Sequence, residues 1–126
     1  MKAFIAAVSL LIVILAVITL HILNIVGLRN DLSARLDDIK AAADADNWSA
    51  VSSGISGLDE KWESNSFWLS VTLSTTEVEA ADLLIHRMDQ YAALRDADNF
   101  YGEYVSLRDL VDYLPTHEGL SWKILL

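Results

Sequence analysis

The hydrophobic residues of this chain follow two patterns, and the change between them falls near residue 28. Residues 3–28 contain no formally charged side chain, and 21 of these 26 residues are apolar. As a helix rising about 1.5 Å per residue, the segment would reach roughly 39 Å, which exceeds the hydrocarbon thickness of a bilayer, about 30 Å. We therefore predict a transmembrane anchor over residues 1–28 and a separate domain over residues 29–126.

The alternative for the first segment is a cleaved signal peptide. Signal peptides have an apolar core of roughly 7–15 residues followed closely by a small-x-small cleavage site, and this segment departs from both features. An uncleaved, single-pass anchor in the cell membrane fits better. His21 lies near the end of the segment, where a polar tip reaches the headgroups. We interpret it as an interfacial bystander rather than an intramembrane functional group.

Beyond residue 28 the apolar residues recur every three or four positions, which is typical of helices with one buried face. The first set continues the spanning helix, and further sets indicate three more helices. Ser74 and Glu77 match a capping box at the start of the third helix, and the fourth is predicted from about Asn99 to Leu114. The side chains expected in the core include Trp48, Ile55, Trp62, Ile85 and Leu107.

A five-residue motif occurs twice between the predicted helices. Residues 44–48 read Asp-Ala-Asp-Asn-Trp, and residues 96–100 read Asp-Ala-Asp-Asn-Phe. We interpret each copy as a tight turn in which Asp or Asn caps the next helix and the aromatic residue begins its buried face. The expected turn and capping residues are therefore Asp46, Asn47, Asp98 and Asn99.

These patterns predict an all-α fold, in which the N-terminal transmembrane helix continues into a small antiparallel bundle of two αα-hairpins. A short solenoid of two helical repeats is the alternative, but two repeats are few for that architecture. Gly54 and Gly57 are expected to permit close approach of a neighbouring helix. Residues 67–69 are expected to end the second helix. Val71 and Leu73 alternate with polar residues, so a short extended link is predicted there.

Charge and composition narrow the classes of function. The chain has 9 Lys plus Arg, 18 Asp plus Glu, a formal net charge of -9 and no Cys. A nucleic-acid partner is not expected, because neutralising phosphates requires a basic surface. Disulfides, Cys-based zinc sites and thiol nucleophiles are excluded because the chain has no Cys.

The acidic residues raise two metal hypotheses, and neither is favoured. The Asp-rich turns lack the Gly and the Glu that a calcium-binding EF-hand loop requires. Asp82, His86 and Gln90 recur at four-residue steps, but the apolar seam of that helix directs them to water. The chain also lacks HExxH and GxSxG motifs. We therefore predict no cofactor, no metal site and no enzymatic activity.

Four Trp residues are the most unusual feature of the domain. Two belong to the predicted core, whereas Trp68 lies at a helix end and Trp122 lies near Leu125 and Leu126 in the C-terminal segment. Trp is enriched in protein interfaces, so these four residues, Trp68, Trp122, Leu125 and Leu126, are the candidate interaction residues. The simpler interpretation of the C-terminal three is that they fold back over the open end of the bundle.

Several features occur in one order along nearly the whole chain: the apolar segment, the turn at residues 46–48, Trp62 and Trp68 six residues apart, a helix opened by Glu77, and Tyr91 near its end. This layout resembles an uncharacterised family of small, singly anchored proteins found mostly in Firmicutes, domain of unknown function 4363. No activity is known for this family, so the resemblance implies none for the chain. The resemblance implies a bacterial membrane protein whose domain lies outside the cytoplasm, whereas the flanking charges alone leave the orientation nearly even.

The expected function follows from this combination. We expect a membrane-anchored, non-catalytic interaction or structural protein, whose partners are the lipid bilayer and either another envelope protein or a second copy of the chain. The alternative is an extracytoplasmic module that senses a ligand between its helices. That alternative requires a pocket with convergent polar groups, whereas a dry, filled core would argue against it.

Overall fold

A computed structural model describes residues 1–114 of the chain. Within that range it contains five helices and no strand, which confirms the prediction of an all-α fold. The predicted interaction residues Trp122, Leu125 and Leu126 lie outside the described residues. The helices are α1 (Lys2–Asp44), α2 (Trp48–Ser64), α3 (Ser66–Thr72), α4 (Thr75–Leu94) and α5 (Ala97–Tyr113).

The two halves of helix α1 differ in how much of their side chains is exposed. Its first half is apolar and exposed to the outside of the protein, so α1 is a candidate membrane span by length and composition. Burial begins at Ile25 and recurs along the second half at every third or fourth residue. Both halves belong to one helix of 43 residues, so the candidate span and the domain share a continuous backbone.

The second half of α1 packs with α2, α4 and α5 into a four-helix bundle. The helices run alternately away from and towards the exposed half of α1, and α1 contacts both α2 and α5. The hairpins α1–α2 and α4–α5 match the predicted two αα-hairpins. Because α5 returns to α1 and closes the bundle, the arrangement differs from the alternative of an open solenoid.

The core of the bundle is apolar. All five predicted core residues are at most 7% exposed: Trp48, Ile55, Trp62, Ile85 and Leu107. Within residues 1–114, no polar or charged residue is classed as buried. Trp48 and Phe100 meet edge to face at the end of the bundle that is farther from the exposed half of α1, with ring centroids 5.5 Å apart.

The close approach predicted at the two glycines of α2 is confirmed at Gly54. A Cβ placed on Gly54 would lie 2.7 Å from Cγ1 of Ile39, a buried residue of α1, so Gly54 allows α2 to pack closer to α1 than a Cβ would permit. A Cβ on Gly57 would lie 3.0 Å from Nη1 of Arg35, which is the flexible tip of a side chain and can shift away.

The turn between α1 and α2 is a Schellman motif. Asp46 has a φ of 59°, and its N–H donates to the Ala43 carbonyl at 3.0 Å. The N–H of Asn47 donates to the Ala42 carbonyl at 2.9 Å, which completes the motif. Asn47 also caps α2, as predicted, because its Oδ1 accepts a hydrogen bond from the N–H of Ala50 at 3.3 Å.

The second turn has the same geometry but lies three residues earlier than the repeated motif predicts. Arg95 takes the left-handed position, with a φ of 56°, and Asp96 caps α5 by accepting a hydrogen bond from the N–H of Asn99 at 3.4 Å. The prediction that Asp98 and Asn99 form the turn is therefore wrong, because both lie in the first turn of α5. Three residues are close to one helical turn, so Phe100 still reaches the core.

Helix α4 begins at the predicted capping box. Ser74 Oγ accepts a hydrogen bond from the N–H of Glu77 at 3.2 Å. The same hydroxyl donates to Glu77 Oε1 at 3.0 Å, so the carboxylate bonds the cap side chain directly. The cap fixes the start of the second hairpin.

The predicted extended link is wrong for Val71 and Thr72, which lie in a helix, and is confirmed for Leu73 and Ser74, whose backbones are extended. Residues 67–69 do not end α2, which stops at Ser64; they lie inside the additional helix α3. Leu69 and Leu73 are both buried, whereas Val71 is exposed. This four-residue spacing of the buried side chains is helical, whereas an extended strand would place Val71 and Leu73 on the same face.

Candidate functional site

The most distinctive local structure is the contact between α3 and α1. Nε2 of His21 lies 2.9 Å from Oγ1 of Thr72, within hydrogen-bond distance. The imidazole also lies against the indole of Trp68, with ring centroids 5.2 Å apart and planes tilted by 33°. Trp68 and Thr72 are one helical turn apart on α3, so both reach His21 from the same face.

Sequence reasoning missed the role of His21. The interpretation as a bystander considered only its position near the end of the apolar segment. Its partner Thr72 is 51 residues away in the chain, so no local pattern connects the two. The signal that was available is the presence of a hydrogen-bonding side chain in an otherwise apolar helix, which calls for a partner.

Helix α3 presents three different faces. Leu69 and Leu73 point into the core of the bundle, and Trp68 and Thr72 contact α1. The remaining side of the helix is exposed: Phe67 is 68% exposed and Val71 is 60% exposed, and the small polar residues Ser66 and Ser70 lie beside them. We call this third face, formed by Phe67 and Val71 with the half-buried edge of Trp68, the α3 face.

The α3 face is reinforced by aromatic packing. The rings of Phe67 and Trp68 meet edge to face, with centroids 5.4 Å apart. Trp68, the one predicted interaction residue within the described range, is therefore placed between His21 on one side and Phe67 on the other. These two ring contacts hold the indole against the end of the exposed part of α1.

Polar contacts between α1 and α5 fix the opposite side of the bundle. Arg108 Nη1 donates to Asp37 Oδ1 at 2.7 Å and to the Ser33 carbonyl at 3.2 Å. Partial burial opposes the charge of Arg108, but the hydrogen bond to Asp37 and the charges of Asp37 and Asp112 outweigh it, so the pKa of Arg108 is raised.

A second polar cluster ties the start of α5 to the end of α1. The hydroxyl of Tyr101 donates to Oδ1 of Asp44, and Nζ of Lys40 donates to Oδ2 of the same carboxylate at 2.8 Å. The hydrogen bond to the carboxylate raises the pKa of Tyr101 to about 12. The bonds from Lys40 and Tyr101 lower the pKa of Asp44 from its usual value, because they stabilise its ionised form.

The residues considered for metal binding do not converge. His86 and Gln90 are exposed, as their helix face predicts, whereas Asp82 is half-buried. His86 shares a shallow depression of about 170 Å³ with Asp59 and Asp89. Across residues 1–114, no group of three or more His, Asp or Glu residues is arranged to hold a metal ion.

Three depressions on the described surface are small and open. Two further depressions have volumes of about 190 and 240 Å³, one between α1 and the end of α2 and one beside Arg35 and Gly57. Sites for small organic molecules usually enclose about 300–1,000 Å³. The arrangement therefore offers contact surfaces more readily than an enclosed binding site.

The fold and the α1–α3 contact define a class of protein: an all-α bundle whose first helix carries a long exposed apolar segment. The chain belongs to the family described as Domain of unknown function (DUF4363), whose match extends over residues 18–124. The matched region includes His21, α3 and the whole described bundle. No curated protein and no solved structure matches the chain.

Proposed function

We propose that this protein is a membrane-anchored, non-catalytic interaction module. In this proposal the exposed half of α1 spans a cell membrane once, and the acidic bundle binds another envelope protein or a second copy of the chain. The observation that carries the proposal is the continuity of α1. One helix is exposed and apolar in its first half and packs into the bundle in its second half, so the proposed span and the bundle share one continuous backbone.

The core supports contact rather than ligand sensing. Buried residues within the described range are hydrophobic, and three depressions on the surface of that range are small. A ligand-sensing module needs an enclosed site with convergent polar groups, so these observations favour the interaction function over that alternative.

Placement of the bundle outside the cytoplasm is part of the proposal. The domain that follows the span is strongly acidic, and the chain has no Cys, which suits an oxidising compartment. The basic residues on the two sides of the span do not decide the orientation by themselves. The orientation therefore needs a direct measurement.

Exposed apolar side chains on the bundle provide positions for testing the proposed contacts. Large hydrophobic residues exposed on α4 and α5 are Leu83, Leu94, Val105 and Tyr113. Each is replaced in turn by a photo-crosslinking amino acid in the full chain, expressed in cells, with exposed Ser53 on α2 as the matched polar control. At least one of the four positions should give a discrete adduct that the control does not give.

The mass of that adduct separates the two kinds of partner. Twice the mass of the chain indicates self-association, and any other discrete mass indicates a different protein. Uncrosslinked chain at all four positions would contradict the interaction function. Extraction of the membranes at alkaline pH tests the anchor separately, since an integral protein stays in the pellet and a peripheral one is released.

A further inference from the structure

We propose that α3 is an interfacial membrane helix: the α3 face inserts into the boundary between headgroups and acyl chains on the side of the bilayer where α1 emerges. This inference rests on the proposed function, because it requires α1 to span the membrane. It adds a second contact with lipid, which would hold the bundle at a fixed height above the bilayer.

The height of α3 along α1 matches the edge of the hydrocarbon region. Lys2 is charged and belongs among the headgroups of one leaflet. A hydrocarbon core of about 30 Å takes roughly 20 residues of helix, so it ends near residue 22. Trp68 and Thr72 contact His21, which places α3 at that boundary.

The chemistry of α3 suits an interface between water and lipid. Phe67 and Val71 are exposed, and Trp68 lies beside them, and aromatic side chains are enriched where bilayers meet water. Residues 64–76 contain no charged side chain, although the domain around them is densely charged. An apolar face without charges can enter the headgroup region without desolvating an ion.

Continuity with α1 identifies lipid as the occupant of the α3 face. Val17 and Ile18 lie one helical turn before His21, on the same side of α1, and both are exposed. The apolar surface of the candidate span therefore extends to the level at which Trp68 and Thr72 contact α1. Because the acidic domain repels anionic headgroups, the contact depends on apolar burial and does not require anionic lipid.

Because the chain has no Cys, a single introduced Cys can be labelled to measure how deeply the α3 face lies in the bilayer. Val71→Cys is spin-labelled in the full chain and reconstituted in phosphatidylcholine vesicles. Collisions with lipid-soluble oxygen and with a water-soluble nickel chelate are then compared. Val105→Cys is the matched control, because Val105 is a similarly exposed valine, at 55%, on α5. It lies between Tyr101 and Arg108, which contact Asp44 and Asp37, and so sits about 24 Å or more beyond the level of His21.

The expected result is an oxygen-to-nickel collision ratio several-fold higher at Val71 than at Val105. Replacing Phe67 with Ser should lower the ratio at Val71 and leave the ratio at Val105 unchanged. A label at Ile12, within the exposed half of α1, reports the anchor itself and should collide almost entirely with oxygen.

Three results would overturn the inference, and they are distinguishable. If the label at Val71 collides mainly with the nickel chelate while the label at Ile12 collides mainly with oxygen, α3 lies in water although α1 still spans the bilayer. If Ile12 also collides with nickel, the proposed anchor fails and the inference fails with it. If Val71 is protected from both reagents and shows dipolar broadening, a second copy of the chain covers the α3 face instead of lipid.

Discussion

At the residue scale, the two hairpin turns show how local sequence and packing share control of a backbone. Each motif offers several Asp and Asn residues that could cap a helix. The capping residue is determined by the position at which the preceding helix ends. We attribute that position to the last buried residue of the helix, which is Ala43 in α1 and Ala92 in α4. The Asp and Asn residues therefore predict that a turn is present. Which of them caps the helix in the second turn cannot be predicted from the motif, because it depends on how α4 packs.

Arg95 provides a test of this account. It adopts a φ of 56°, a region that residues other than Gly and Asn disfavour, and its side chain makes no hydrogen bond or ion pair with residues 1–114. Arg95→Gly should raise the free energy of unfolding by about 1 kcal/mol, measured by urea denaturation in detergent micelles with far-ultraviolet circular dichroism.

The matched control is Asp46→Gly in the first turn. Asp46 also has a positive φ, but its carboxylate accepts a hydrogen bond from Trp48 Nε1 at 2.7 Å. The gain in backbone freedom is then offset by the lost hydrogen bond, so this variant should gain less than Arg95→Gly. A lower unfolding midpoint for Arg95→Gly would show that the left-handed turn is misassigned.

Tyr101 gives a prediction about pH. Its pKa is raised to about 12 in the folded state by Asp44, against 10.0 for the free side chain. The contact is fully stabilising below pH 10, and its contribution is lost as the pH rises towards 12. The difference in tyrosinate absorbance between the native chain and Tyr101→Phe should titrate near 12, and in an Asp44→Asn background it should move back towards 10. A midpoint near 10 in the native chain would contradict the contact.

At the element scale, the helices with a regular seam were predictable and α3 was not. The spacing of the buried residues in α2, α4 and α5 repeats over several turns, so each seam is visible in the sequence. Helix α3 spans only 7 residues, too few for a periodic pattern to separate helix from alternation. Its structure depends on burial of Leu69 and Leu73 against the bundle, which is a tertiary effect.

The packing of α1 against α2 makes opposite predictions for two glycines. Gly54→Ala would place a Cβ 2.7 Å from Ile39, which is buried and cannot move freely. A Cβ on Gly102, in α5, would meet nothing within 4 Å. Gly102→Ala should stabilise the fold by about 1 kcal/mol through helix propensity, whereas Gly54→Ala should destabilise it by about 1–3 kcal/mol.

Urea denaturation of both variants checks this prediction under one set of conditions. The two substitutions are chemically identical and both lie inside helices, so their propensity gains are similar. Equal stabilisation of both would mean that α1 and α2 are farther apart at residue 54 than the structure places them.

At the scale of the whole molecule, one continuous helix joins the exposed apolar segment to the bundle. The second half of α1 is bonded to α5 through Arg108 and Tyr101, and its first half meets α3 through His21. Hydrophobic patterning alone predicted the long apolar helix and the two hairpins, and both are confirmed. It could not predict the contact between His21 and Thr72, which exists only because α3 folds back beside α1.

The central claim is a bundle held outside the cytoplasm by a single span, and labelling of one introduced Cys tests it most directly. Ser53 is exposed on α2, away from the buried seam, so Ser53→Cys should fold normally. Intact cells and lysed cells are treated with a membrane-impermeant maleimide. We predict labelling in intact cells, to the same extent as after lysis. Labelling only after lysis would place the bundle in the cytoplasm and contradict the proposed orientation.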